Sequence, residues 1–382
     1  MIRNNICMNA HPEGCDRNVA DQIAYVRSKG TIAGPRNVLV IGASAGYGLS
    51  SRIVSAFGCG AATVGVAFEN PAKGNRTASA GWYHDQAFQR YAEEAGLTHR
   101  SIIGDAFSHE IKQQTVQTIR ELMGQVDLVV YSLASGVRVD PDTGEMYRST
   151  LKPIGGRYES VTFDSKSGTL TPATVEPADQ EEIRQTVKVM GGEDWELWIR
   201  TLREEGVLAP QAITVAYSYI GPEITFPLYR DGTIGRAKEH LEETARRMEQ
   251  EMQPDGGHAW VSVNKALVTR ASSVIPAVPL YLALLYRTMK EMGIHEGTVE
   301  QIHRLFTDRM YGGDPALDDH QRIRVDDWEM RDDVQKEVRR CWDIVTEQNL
   351  RELADVDGVQ QEFLQIHGFG FPDIDYDRDI EA

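Results

Sequence analysis

The chain reads as an α/β fold, a doubly wound parallel sheet with helices on both faces. Three observations predict it. Between Asn37 and Gly136, short apolar runs of strand type alternate with segments of helical periodicity. The first run ends on a glycine, and two more glycines lead straight into a helix, so the connection is tight. Beyond an irregular stretch at 137–177 the alternation resumes and passes into a long helical C-terminal part.

The elements follow in order. Residues 15–29 form an expected amphipathic helix. Expected strands cover 38–41, 63–68, 100–104 and 128–133, with helices at 48–57, 81–95 and 109–123. Right-handed crossovers would bring all the strand C-termini to one edge, where loops and ligands collect. From 137 to 177 Gly, Pro, Thr and Ser are dense. There Tyr158–Phe163 and Leu170–Val175 read as a hairpin turning at Ser167-Gly168, an insertion over the cleft. Helix is expected over 179–206, strand over 212–217, a long helix over 233–252 and strand over 259–263. Helices at 280–292 and 299–307 and a helical layer at 326–350 precede an acidic tail from Phe369. One large unit is thus expected: a core at 37–136, the inserted hairpin at 137–177, a segment at 178–270 completing the sheet, and covering helices at 271–382.

A chain of 382 residues exceeds the roughly 150 residues of an average domain and has ample core. Net charge is 40 − 57 = −17, which argues against nucleic acid or an anionic membrane as partner. Cys7, Cys15, Cys59 and Cys341 show neither paired nor zinc-ligand spacing, as expected of free thiols in the cytoplasm. No signal peptide is read. The longest apolar stretch, 274–286, is broken by Pro276 and Pro279 and is too short to span a bilayer.

The glycine turn carries chemistry. Asn37-Val-Leu-Val-Ile-Gly-Ala-Ser-Ala-Gly-Tyr-Gly48 places strand, turn and helix in the order a dinucleotide pyrophosphate requires. The G-x3-G-x-G spacing resembles that of short-chain dehydrogenases and reductases. The second strand ends in Phe68-Glu69, and Glu69 lies 21 residues beyond Gly48. A carboxylate there accepts hydrogen bonds from the adenosine ribose and repels a 2′-phosphate, so NADH is expected over NADPH. Asp105-Ala106 and Leu133-Ala134 end the third and fourth strands on the same edge. Asp105 reads either as an adenine partner or as a helix cap.

Past the strand at 212–217 come two tyrosines, Tyr219 and Tyr229, in a loop broken by Gly221, Pro222 and Pro227. Lys238 follows nine positions after Tyr229 in a helix. A phenol titrates near pH ~10 and can donate a proton at neutral pH, and a nearby ammonium would lower that value. The acids Asp314, Asp318, Asp319, Asp326 and Asp327 lack EF-hand spacing and read as a solvated helix start, with no metal expected.

The Tyr-x8-Lys spacing resembles that of FabV-type enoyl reductases, which comprise enoyl-acyl-carrier-protein reductases and trans-2-enoyl-CoA reductases. Ala10-His-Pro-Glu-Gly-Cys15, Gly42–Gly48, Phe68-Glu69, Leu133-Ala134, Ser218-Tyr-Ile-Gly221 and Asn264-Lys-Ala-Leu-Val-Thr-Arg-Ala271 are similar to the family pattern as well. The likeness spans essentially the whole chain. It implies a Rossmann-like monomer that reduces the double bond of a trans-2-enoyl thioester with NADH, the last reductive step of fatty-acid elongation. By the resemblance, Tyr229 is the proton donor, Lys238 the cofactor-binding lysine and Tyr219 the thioester contact. Leu267, Val268 and Thr269 close over the nicotinamide. Gly42, Ala43, Ser44, Ala45, Gly46, Tyr47, Phe68, Glu69, Asp105, Ala106, Leu133 and Ala134 are the remaining cofactor contacts. On chemistry alone, either tyrosine can serve the enolate oxygen.

The apolar segment at 274–286 reads as an acyl channel, with Ala277, Leu280 and Leu284 setting chain length, or as a plain core helix. The carrier is CoA or acyl carrier protein, and Arg148, Lys152 and Arg157 are candidates for docking the acidic carrier. Two rival readings are a carbonyl or 3-ketoacyl reductase using the same Tyr and Lys, and an NADH-sensing module without turnover.

Overall fold

The computed structural model describes residues 2–3, 6–7, 9–74, 76–163, 169–269 and 278–378. A small ribbon (β1, Ile2–Arg3; β2, Ile6–Cys7) precedes helix α1 (Pro12–Ser28). Proline at the first turn of α1 needs no hydrogen-bond partner, and the His11 ring caps Gly14 N–H. Then come β3 (Asn37–Ile41), α2 (Gly46–Ile53), β4 (Ala62–Ala67), α3 (Ala80–Glu94), β5 (His99–Ile103), α4 (His109–Leu122) and β6 (Val126–Tyr131). Each lies within a few residues of its expected span.

The irregular stretch holds two hairpins. The first, β7 (Val137–Val139) with β8 (Met146–Arg148), was not expected; its strands are too short to show alternation. The second, β9 (Tyr158–Phe163) with β10 (Leu170–Val175), has the expected boundaries. Its Ser167-Gly168 turn lies outside the described residues.

The expected helix at 179–206 is two helices, α5 (Gln180–Met190) and α6 (Glu193–Glu204). They break at Gly191-Gly192. A Cβ at Gly192 would sit 2.3 Å from Thr244 Oγ1, so close packing against the next long helix sets the break. Strand β11 (Leu208–Ser218), helix α7 (Thr233–Met252) and strand β12 (His258–Val263) follow, then α8 (Val278–Glu291) and α9 (Thr298–Arg304). A seventh sheet strand, β13 (Arg322–Arg324), was not expected; three residues carry no period. The helical layer at 326–350 is shorter, α10 (Asp332–Ile344), with α11 (Leu350–Leu353) and α12 (Val356–Ile366) beyond it.

All seven main strands are parallel, in the order β13-β12-β11-β6-β3-β4-β5. The chain winds outward from β3 to β5, returns to β6 on the other side of β3, and winds outward again to β13. The order therefore reverses between β3 and β6, the point where such sheets open a crevice at their carboxyl ends.

Alternation sorts the side chains. Val38, Val40, Leu128 and Val130 face α1, α2 and α9, whereas Leu39, Ile41, Val129 and Tyr131 face α6 and α7. Trp195 and Trp198 of α6 are fully buried, and truncating either to Ala should cost about 3–5 kcal/mol. A third apolar cluster, built from α8, α10 and α12, caps the carboxyl edge and includes Leu228, Tyr229, Leu267 and Val268.

Candidate active site

The glycine turn sits at the switch point. Gly42 ends β3 at φ +89°, and a Cβ there would lie 2.2 Å from the carbonyl oxygen of Ser132, just past β6. Only glycine closes this turn against the neighbouring strand. A Cβ at Gly48 would lie 1.9 Å from Gly42 O, so α2 is packed directly on the turn. Gly46 differs: φ is +52°, but the nearest atom to a Cβ would be Thr269 Cγ2 at 3.9 Å. Its backbone faces open space at the first turn of α2, whose N-cap Ala45 offers no side-chain bond. These features fit a pyrophosphate, with free N–H groups at a helix N-terminus and no side chain in the way.

The remaining cofactor positions gather along the same edge. Ala43 and Ser44 are buried, and Ser44 Oγ donates to Glu69 Oε1 at 2.8 Å. Glu69 lies over α3, where a Cβ at Gly81 would meet Oε1 at 2.1 Å. Next to it Phe68 is 75% exposed, a flat apolar platform at the end of β4. Leu133 leans on Gly42, and Ala134 is exposed. Asp105 caps no helix: Ser108 is the N-cap of α4, and Asp105 Oδ1 accepts from Phe107 N–H in the turn before it. The Ala106 carbonyl points inward, accepting from Lys112 Nζ and Trp198 Nε1. Tyr47 also points inward. Its hydroxyl donates to the Lys265 carbonyl at 2.8 Å and its ring leans on Tyr217, so its side chain braces the 265–269 segment.

Tyr219, Tyr229 and Lys238 converge on the end of β11. The rings of Tyr219 and Tyr229 meet edge to face with centroids 4.8 Å apart. Lys238 Nζ donates to the carbonyl of Tyr217, two residues before Tyr219, at 3.0 Å. Lys238 is only partly buried, yet its ammonium sits deep enough that desolvation pulls its pKa down to about 8. The expected lowering of the phenol is not found. Burial, followed by the charge of Glu329, pushes Tyr229 upward, and the ammonium is held by a carbonyl instead. Tyr229 is therefore held in its protonated form.

Sequence reasoning missed several residues here. Lys265, two positions past the end of β12, is buried, and desolvation lowers its pKa to about 8; its Nζ donates to the Ala266 carbonyl. Its place at a strand end was a usable signal. Glu329, Tyr281 and Gln301 gave none, because each reaches the site from a distant helix or turn. Gln301 Oε1 accepts from Lys265 N–H at 3.0 Å, and Tyr286 Oη accepts from Val268 N–H at 3.0 Å. The strap at 265–269 is thus pinned from α9 and α8. Leu280 and Leu284 are buried in the cluster that holds Tyr229; Ala277 and Pro276 lie outside the described residues.

The acidic cluster is not a helix start. Asp318 pairs with Arg322 and Arg324, buried Asp326 with Arg324, and Asp327 with Arg304 and Arg309. Asp318 and Asp326 hold Arg322 and Arg324 of β13 locally, whereas the partners of Asp327 arrive from α9 and the segment just beyond it. Among the described residues no group of acids, histidines or cysteines could hold a metal, and no helix is long and apolar enough to cross a membrane. Of the docking candidates, Lys152 is paired with Glu182 and Arg157 with Glu176, while Arg148 is exposed.

A parallel sheet with this turn at its switch point, an acid at the next strand end and a tyrosine pair with a lysine beyond defines a dinucleotide-dependent reductase. Residues 76–311 match the trans-2-enoyl-CoA reductase catalytic region, residues 1–74 the NAD(P)H binding domain of trans-2-enoyl-CoA reductase, and residues 317–380 the enoyl reductase FAD binding domain. The chain belongs to the trans-2-enoyl-CoA reductase family, which the enoyl-acyl-carrier-protein reductases share. It is 54% identical to the NADH enoyl-[acyl-carrier-protein] reductase of Edwardsiella ictaluri, covering 99% of this chain and 96% of that one. It is 50% identical to the NADH trans-2-enoyl-CoA reductase of Ruminiclostridium cellulolyticum, covering 100% and 96%. The crystal structure of Treponema denticola trans-2-enoyl-CoA reductase in complex with NAD superimposes with a TM-score of 0.96 at 50% identity, covering 100% of this chain and 97% of that one.

The flavin named for the 317–380 match does not fit the residues present. The first turn of α10 carries Asp332 and Asp333, and the N-terminus of α12 is capped by the Asp355 carboxylate. Both repel a pyrophosphate. Each described arginine between 322 and 378 is already ion-paired.

Proposed function

We propose that this chain reduces the carbon–carbon double bond of trans-2-enoyl thioesters with NADH, the reductant printed in the names of its relatives, and without a flavin. The observation that carries the reading is the convergence of the open Gly46 turn, the Thr269 strap and the Tyr219–Tyr229–Lys238 group on one sheet edge. The cradle described above fits the dinucleotide, with Glu69 opposing a 2′-phosphate.

The bound reduced nicotinamide supplies a hydride to the β-carbon, and one proton must reach the α-carbon to give the saturated thioester. The chain's own residues do the rest. Tyr229, kept protonated by burial, is the proton donor. Tyr219 stands beside it to contact the thioester oxygen, where negative charge develops. Lys238, anchored on the Tyr217 carbonyl, holds the nicotinamide ribose. Leu267, Val268 and Thr269 close over the ring and exclude water, and the α8 cluster forms the apolar wall for the acyl chain.

The carrier is CoA or acyl carrier protein, with Arg148 as the exposed basic candidate for the latter. The chain acts as a cytoplasmic monomer in this reading, and the free thiols of Cys15, Cys59 and Cys341 support a reducing compartment. The test is NADH oxidation with the crotonyl group on each carrier. Turnover is expected with enoyl thioesters and absent with 3-ketoacyl thioesters; the reverse would overturn the proposal.

A further inference from the structure

Glu329 lies in the turn before α10, 0% exposed, and three distant segments end on its carboxyl group. Oε1 accepts from Tyr219 Oη at 3.2 Å and from Tyr281 Oη of α8 at 2.5 Å. Oε2 accepts from Ala266 N–H, at the root of the strap, at 2.7 Å. Its own carbonyl accepts from Gln335 Nε2 of α10 at 2.7 Å, which ties the turn to the covering layer.

We infer that Glu329 is a positioning residue for the reduction, one that fixes the Tyr219 phenol relative to the strap over the nicotinamide. The inference rests on the reading of Tyr219 as the thioester contact. Burying a carboxyl group is costly, and an apolar side chain could fill the same volume for folding alone. Here the carboxyl's acceptor sites are used in two directions, toward the two phenols and toward the strap backbone. A phenol has a single hydrogen. While that hydrogen rests on Glu329, the ring of Tyr219 cannot swing away from Tyr229, and its lone pairs face outward. A ligand oxygen that takes this hydrogen releases the Tyr219–Glu329 bond and leaves the carboxyl held by Tyr281 and Ala266.

An amide at position 329 breaks this arrangement without changing its volume. It offers one acceptor oxygen and one donor nitrogen. If the oxygen keeps Ala266 N–H, the nitrogen faces both phenols; if it keeps the phenols, the nitrogen meets the N–H of Ala266. In the first case the amide donates to the phenol oxygens and turns the Tyr219 hydrogen away from position 329; in the second the Ala266 anchor is lost, so neither keeps both the Tyr219 orientation and the strap.

The experiment is a double-mutant cycle of Glu329→Gln with Tyr219→Phe in the full chain. It reads kcat and KM for crotonyl-CoA, NADH affinity by fluorescence, and unfolding temperature. Glu329→Gln is expected to lower kcat/KM for the enoyl thioester about tenfold in the native background and less than about twofold in Tyr219→Phe, since groups in one network are non-additive. Equal losses in both backgrounds would overturn the inference and leave Glu329 a structural residue. Tyr281→Phe, which removes the shorter phenol contact on Oε1, is run in the same cycle in case the amide variant does not fold; a coupled loss supports the inference and an additive one overturns it. If Tyr219→Phe alone leaves kcat/KM unchanged, the thioester-contact reading fails first and the inference falls with it. Impaired Tyr219→Phe with additive Glu329→Gln removes the inference alone.

Discussion

The ring of Tyr219 stands edge-on to that of Tyr229, 4.8 Å between centroids and 87° between planes, at the carboxyl end of β11. One phenol is thereby walled in by the other and by the α8 cluster. Burial, with the negative charge of Glu329, raises the Tyr229 pKa, so it holds its proton throughout the working pH range. Tyr229→Phe should lower kcat by about 10²–10⁴-fold, the usual cost of a lost general acid, with NADH affinity nearly unchanged. Steady-state kinetics alongside NADH titration check this; near-native turnover would remove Tyr229 from the proton-donor role.

Lys238 is charged below its pKa of about 8 and neutral above it. A step that needs the ammonium weakens as pH rises through that value. The profile of kcat/KM for NADH, which reports the free enzyme, should therefore bend downward near pH 8. Lys238→Met should lower kcat/KM and remove the bend. Because buried Lys265 titrates in the same region, a bend that survives in Lys238→Met but vanishes in Lys265→Met would reassign it.

Gly42→Ala and Gly46→Ala should fail in different ways. At Gly42 the methyl group meets Ser132 O at 2.2 Å and the φ of +89° is strained for any other residue, so the unfolding temperature should drop. Backbone strain alone is worth about 1–3 kcal/mol. At Gly46 the methyl meets only Thr269 Cγ2 at 3.9 Å in the free protein but would enter the volume proposed for the pyrophosphate. That variant should fold with a smaller loss and bind NADH at least tenfold more weakly. Equal thermal shifts with unchanged NADH affinity would contradict the site.

On the proposed reading, Glu69 is the group expected to discriminate between the two nicotinamide dinucleotides. Glu69→Gln should weaken NADH and raise the relative kcat/KM for NADPH. Gly81→Ala should act in the same direction from beneath, because its methyl would lie 2.1 Å from Glu69 Oε1 and displace the carboxylate. A preference ratio unmoved by either change would rule Glu69 out as the discriminator.

Lys112 and Asp194 form a buried ion pair of 2.8 Å beneath the Ala106 turn, with Tyr131 Oη on the other carboxylate oxygen. Lys112→Met leaves Asp194 without its cation in the core and should cost about 3–5 kcal/mol. Calorimetry of the single variant and of Lys112→Met with Asp194→Leu tests this. The double variant should recover much of the loss.

Much of this molecule was legible in short windows of residues. Unbroken apolar runs at 38–41 and 128–131 marked the central strands, because a strand with two buried faces keeps apolar side chains on both. The turn at Gly42–Gly48 was readable because the glycines themselves mark it: φ is positive at Gly42 and Gly46, and Gly48 packs on the Gly42 carbonyl. The spans of β9, β10 and α7 were right for the same reason, since hydrophobic period and turn residues act over neighbours. Folding in three dimensions decided the rest. It cut 179–206 in two by pressing Gly192 on Thr244, paired Asp327 with Arg304 of α9 where a solvated helix start was expected, and aimed Lys238 at a carbonyl instead of a phenol. It also brought Glu329 to Tyr219 across 110 positions. Burial, charge partners and hydrogen-bond direction depend on which distant segments arrive at a point, and no local pattern carries that information.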